Sequence, residues 1–185
     1  MLAVFPLDTD RACERALDAA IEARAAMWLW NAERRERGDE VLNFGIALHA
    51  GDWVHADTVA GFQAEARRSL VVHGNSDPVE LRKSLPQREV FEVDNVRLGL
   101  IHPYWGREEF PSERLFPDFP EEEVGKLDVI CFGHFHVPLD EVVDGVRFVN
   151  AGQGYPSFLV PGTLAWIRVS GSEVTVEIEE FAPAD

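Results

Sequence analysis

In this 185-residue chain, side chains able to offer an oxygen or nitrogen lone pair recur just beyond short apolar runs. Residues 41–49 lead into Gly51-Asp52, and residues 70–73 lead into Gly74-Asn75-Ser76-Asp77. Residues 96–101 lead into His102, and residues 129–132 into Gly133-His134-Phe135-His136. Carboxylate, amide oxygen and imidazole together suit a divalent cation such as Mn, Fe, Co, Ni or Zn, with little discrimination among them. Taken singly, each signal has a plainer use. Gly-Asp and Gly-Asn are common turn pairs, Asp77 suits the ordering of its own loop, and a lone His102 is ordinary as a packed residue. Two histidines two residues apart straight after Val-Ile-Cys-Phe are harder to explain by packing. Four such endings in one order favour a metal site.

The elements that must bring these residues together are legible in the hydrophobic periods. Ligand sites of α/β sheets collect beyond the carboxyl ends of strands, so four strand endings can meet at one point. Residues 2–7 and 41–49 read as strands joined by a long amphipathic helix over residues 11–37, with Leu17, Ile21 and Trp28 on one face. Strand, helix, strand implies a parallel pair with a right-handed crossover. Residues 60–69 read as a further helix and residues 70–73 as the next strand. The second half is built of hairpins, with expected turns at Asp94-Asn95, Asp144-Gly145 and Ser170-Gly171. Residues 106–125 read as loop, except that Glu121 to Glu123 suit a solvated helix start. Trp28 and Trp30 stand two apart on the long helix and cannot both face one core, so one is free to mark a contact surface.

Composition bounds the function. Lys and Arg number 17 against 33 Asp and Glu, a formal charge of −16, and no basic run is present to hold a long nucleic acid. Hydrophobic residues make up 46% of the chain, which is enough for a folded domain. No apolar stretch approaches the roughly 20 residues needed to span a bilayer, so no membrane partner is expected. Residues 1–7 carry no basic residue and no small-residue cleavage pattern, which favours a cytoplasmic protein. Cys13 and Cys131 fit reduced thiols better than a disulfide.

The residues also resemble a family. His-Ala-Gly-Asp at 49–52, His-Gly-Asn-Ser-Asp at 73–77, Leu-Ile-His at 100–102, Phe-Gly-His-Phe-His at 132–136 and Val-Asn-Ala-Gly-Gln at 149–153 are similar to the motifs of calcineurin-like metallophosphoesterases, notably their YfcE-like phosphodiesterase branch. The resemblance covers about residues 48–183. It implies an α/β fold, a four-layer αββα sandwich, as one domain over residues 1–185 whose residues 1–47 form an atypical first βαβ unit. It implies two divalent ions, with Asp52 shared between them, Asn75, His102 and His134 completing one site, and His136 belonging to the other. The implied reaction is hydrolysis of a small phosphodiester or phosphomonoester by a metal-bridging hydroxide, without a covalent enzyme intermediate.

Two departures qualify that picture. Where the family places Asp-x-His after its first strand, this chain has Asp8-Thr9-Asp10. Asp8 and Asp10 either complete the second metal site or serve the helix that starts near Arg11, with Thr9 or Asp10 as its cap. Ser76 stands where many members have histidine; the YfcE-like branch likewise has a small residue there, which implies a preference for good leaving groups rather than inactivity. Residues 2–50, with Leu-Ala-Val-Phe-Pro, Asn31-Ala32-Glu33 and residues 44–49, are also similar to an internal piece of a class III nucleotide cyclase that lacks its first metal-binding strand. The rival reading is a scaffold of the same fold that has lost turnover and binds a protein partner. Self-association into a homo-oligomer stays open.

Overall fold

The computed structural model describes residues 46–66, 68–104, 112–154 and 161–181. The expected strand over residues 2–7, the helix over 11–37, and Asp8, Asp10, Cys13, Trp28 and Trp30 lie outside the described residues. Strand β1 (Ala47–Ala50) is followed by helix α1 (Ala56–Glu65) and strand β2 (Ser69–Val72). β1 and β2 pair in parallel, with Leu48 opposite Leu70 and Ala50 opposite Val72. Parallel neighbours need a crossover, and α1 supplies it. Helix α2 (Val79–Ser84) follows.

A five-stranded mixed sheet comes next, built from β3 (Arg88–Val93), β4 (Val96–Ile101), β5 (Val129–Phe132), β6 (Pro138–Val143) and β7 (Val146–Ala151). Its order is β3-β4-β5-β7-β6. The three central strands run parallel, and an antiparallel hairpin partner closes each edge. A 3-10 helix (Ser112–Asp118) and helix α3 (Glu121–Val124) join β4 to β5. The hairpin of β8 (Gly162–Ser170) and β9 (Glu173–Phe181) completes the described chain.

Side-chain alternation sorts these elements into layers. Leu98 and Leu100 of β4, Val129 and Cys131 of β5 and Val149 of β7 pack with Leu48, Ala50, Leu70 and Val72 of β1 and β2, and with Ala165, Ile167, Val174 and Val176 of β8 and β9. Their sequence neighbours Ile101, Ile130, Phe132 and Phe148 face the other way, onto Leu115 and Val124 of the short helices and Phe119 between them. On the far side, Val71 and Trp53 pack with Val59 and Phe62 of α1 and Leu81 of α2. Helices, strands, strands and helices are thus stacked in the αββα order. β5 is buried at all four positions because both of its faces are covered.

Three local expectations are corrected. The helix placed over residues 60–69 runs from Ala56 to Glu65, because Ser69 and Leu70 are drawn into the parallel pairing with β1. The last turn is Gly171-Ser172 rather than Ser170-Gly171, since Ser170 pairs with Glu173. The segment read as loop holds a 3-10 helix whose Leu115 is fully buried. Glu121 to Glu123 do form the exposed first turn of a helix.

Candidate metal centre

Parallel pairing decides where the ligands emerge. Ala50 and Val72 are in register at the ends of β1 and β2, so Asp52 and Asn75 leave the smaller sheet at one edge. Ile101 and Phe132 are in register at the ends of β4 and β5, so His102 and His134 leave the larger sheet side by side. The two sheets are packed on each other, and the four side chains meet at the seam. Asn75 Oδ1 lies 2.8 Å from His102 Nε2 and 2.9 Å from His134 Nδ1. His102 Nε2 lies 3.2 Å from His134 Nδ1 and 3.4 Å from Asp52 Oδ2.

The hydrogen-bond roles at this cluster do not close. His102 Nδ1 donates to the Ala50 carbonyl at 2.6 Å, which leaves Nε2 of the neutral ring with an inward lone pair. Asn75 Oδ1 and Asp52 Oδ2 are acceptors too. At most one hydrogen, on His134 Nδ1, is available among the four converging atoms. A cation resolves the conflict. Ligands about 2.1 Å from an ion stand roughly 3 Å apart at right angles and about 3.4 Å apart in a tetrahedron, which is the range seen here. The set closes only through the amide oxygen: among the described residues no three His, Cys, Asp or Glu side chains form a metal-holding group by themselves.

Electrostatics agree with the geometry. Burial pushes the His102 pKa below its ordinary value, while Asp52 and the Ala50 carbonyl pull it up and His134 pushes it down again. Burial likewise lowers His136, opposed by attraction to Asp52 and reinforced by repulsion from His134, so His136 shares the field of the same centre. Neutral imidazoles are the form that binds a metal.

The backbone is held in tension around the ligands. Asp52, Val54, His134 and His136 all adopt positive φ, at 60°, 66°, 80° and 54°. Such conformations cost on the order of 1–2 kcal/mol for a non-glycine residue and persist where surrounding bonds enforce them. Asp77 does much of the enforcing. Its buried carboxylate accepts from Val54 N–H at 2.8 Å and Gly74 N–H at 2.7 Å, and Asp52 Oδ1 accepts from Ser76 N–H at 2.8 Å. Gly74 is needed for space, since a Cβ there would overlap the Asp52 carboxylate.

Asp52, Asn75, His102 and His134 thus come together, with His136 in the electrostatic field of Asp52 and His134, whereas Asp8 and Asp10 lie outside the described residues. Asn150 was not singled out from the sequence. It is fully buried, donates to the Gly133 carbonyl at 3.4 Å and accepts from Gly152 N–H at 2.9 Å, bracing the loop that carries His134. Its signal was the Val-Asn-Ala-Gly-Gln segment.

The fold and the ligand seam define a metallophosphoesterase-type sandwich, and sequence comparison agrees. Residues 31–172 match the calcineurin-like phosphoesterase superfamily domain, and the chain belongs to that family. A probable metallophosphoesterase of Methanocaldococcus jannaschii is 27% identical over 115 residues, covering 62% of this chain and 55% of that protein. The chain therefore spans about half the length of that curated relative. The solution structure of protein TM1076 of Thermotoga maritima is 34% identical, with a TM-score of 0.56 over 74% of this chain and 80% of that one. Vps29 of Entamoeba histolytica, solved with bound zinc, shares the fold at 23% identity, with a TM-score of 0.57 over 74% of this chain and 81% of that one. No helix among the described residues is long and apolar enough to cross a membrane.

Proposed function

We propose that this chain hydrolyses small phosphodiesters or phosphomonoesters at the seam between its two sheets. The observation that carries the reading is the convergence of Asn75 Oδ1, His102 Nε2, His134 Nδ1 and Asp52 Oδ2 at contacts of 2.8–3.4 Å with at most one hydrogen among them. In this reading those four residues hold one divalent ion, and Asp52 is shared with a second ion held by His136 together with Asp8 and Asp10. When bound, such ions supply Lewis-acid polarisation of a phosphoryl oxygen and a nucleophilic water at neutral pH.

The protein's own residues do the rest. His102 is held in one tautomer by the Ala50 carbonyl, which aims Nε2 inward before any ligand arrives. Asn75 is exposed, so it reaches the solvent side of the cluster where an ester approaches, and its neutral amide adds no negative charge against an anion. Ser76 uses its backbone N–H to fix Asp52 and offers no imidazole to protonate a departing group, which favours esters whose leaving group departs as a stable anion.

The test is hydrolysis of bis(4-nitrophenyl) phosphate by protein reconstituted with Mn²⁺, Ni²⁺, Zn²⁺ or Co²⁺. Turnover is expected with at least one of them and is expected to fall at least 100-fold in His134→Ala. Absence of turnover with all four ions, or full activity in His134→Ala, overturns the reading. The second reading, a partner-binding scaffold without turnover, is favoured by the missing histidine in Asp8-Thr9-Asp10. It would show one bound ion or none and no hydrolysis.

A further inference from the structure

His73 and Tyr104 stand two residues before Asn75 and two residues after His102, the pair whose inward atoms are 2.8 Å apart. Chain connectivity therefore keeps the backbone of both residues within about 7 Å of a cluster residue. The Tyr104 hydroxyl lies 3.1 Å from the Gly74 carbonyl oxygen and 3.0 Å from His73 Nδ1. The carbonyl can only accept, so both contacts are satisfied together when the phenol donates to Gly74 and His73 Nδ1–H donates to the phenol oxygen. The two rings meet edge to face with centroids 5.8 Å apart.

This bracing does not bury the tyrosine, which remains 45% exposed. Two bonds and an aromatic contact are spent on fixing a ring that contributes little to the core. A fixed, exposed aromatic face loses little further freedom when a planar group stacks on it, which is the physical basis of base recognition by tyrosine. From these observations, and resting on the phosphoesterase reading above, we infer that Tyr104 braced by His73 is a platform for the planar group of an aryl or nucleoside phosphate ester whose phosphate lies at the metal centre.

Binding of phosphonates tests the platform apart from catalysis, because their C–P bond is not an ester. Manganese-loaded protein is titrated calorimetrically with naphthylmethylphosphonate and with methylphosphonate, which share the anionic head and differ in the planar group. The wild-type chain should prefer the naphthyl ligand by roughly tenfold. That ratio should fall to near one in Tyr104→Ala and in Tyr104→Leu, the second keeping most of the bulk without the flat face. Tyr104→Phe, which keeps the flat face but loses both hydroxyl bonds, should retain part of it. An unchanged ratio in Tyr104→Leu overturns the inference, and so does a ratio lost equally in Tyr104→Phe, which would mark the hydroxyl as a loop tether.

Hydrolysis of methyl 4-nitrophenyl phosphate by the same preparation tests the catalytic reading. Turnover without an aromatic preference sinks the platform alone. A Tyr104-dependent preference without turnover supports the platform and sinks hydrolysis, and a wild-type chain that neither binds a phosphonate nor turns over the ester sinks both.

Discussion

At the scale of single residues, the candidate centre is a set of lone pairs facing one another, and metal binding there would need the imidazoles neutral. Burial is the leading influence on both His102 and His136, and it lowers both pKa values. The sign of the consequence follows from linkage. A histidine that is harder to protonate folded than unfolded contributes stability above its unfolded value near 6.5, and that contribution is lost as pH falls below it. Metal-free protein should therefore show a falling urea midpoint between about pH 7.5 and about pH 5.5, before most carboxylates protonate. A midpoint constant over that range would mean that neither ring is neutralised by its surroundings. The buried Cys131 behaves in the opposite sense, its thiol pushed up to about 12, so it stays a neutral core residue at any pH where the centre works.

At the scale of elements, two connections carry the site, and Asp77 fastens one to the other. Its carboxylate takes an N–H from the loop after β1 and another from the loop after β2. Removing it leaves two donors in a buried setting, at about 1–3 kcal/mol each, and releases the left-handed Val54. Asp77→Ala should lower unfolding free energy in urea by about 2–4 kcal/mol and weaken manganese binding together with it. A loss below about 0.5 kcal/mol would show that the loops hold themselves.

The same scale shows what the sequence made legible. Strand-end placement of Asp52, Asn75, His102 and His134 could be read because apolar runs stop abruptly at glycine or histidine. The turns at Asp94-Asn95 and Asp144-Gly145 could be read because those residues tolerate positive φ, and Asp94, Asp144 and Gly145 adopt it. The third turn was displaced by one residue because either Gly-Ser dipeptide fits locally. Register settles it: Val169 opposite Val174 and Ile167 opposite Val176 keep both strands facing the core, and a slip of one residue would turn β9 outward. The end of α1 is not legible locally because it is set by the pairing of Ser69 with Ala47, a contact across the fold. Tyr104 carried no motif at all. Its role emerges only from the two atoms its hydroxyl reaches.

At the scale of the molecule, the centre is a junction between layers. Asp52 and Asn75 come from the sheet of β1 and β2, whereas His102 and His134 come from the five-stranded sheet. One cation would tie the two halves of the sandwich across a cluster that otherwise repels itself. The formal charge of −16 acts in the same direction, since it favours divalent cations and disfavours a free phosphate ester until they are bound. Metal loading should thus be a global stabiliser. At a free metal concentration about 100 times Kd the gain is about 2.7 kcal/mol, which for a chain of this size raises Tm by roughly 5–10 °C. Thermal unfolding of the same preparation with EDTA and with Mn²⁺ measures it. The shift should shrink in Asn75→Ala, which removes a ligand from the smaller sheet, and in His134→Ala, which removes one from the larger. A shift that survives both substitutions would place the ion elsewhere, and an equal Tm with and without metal would mean that the seam binds none.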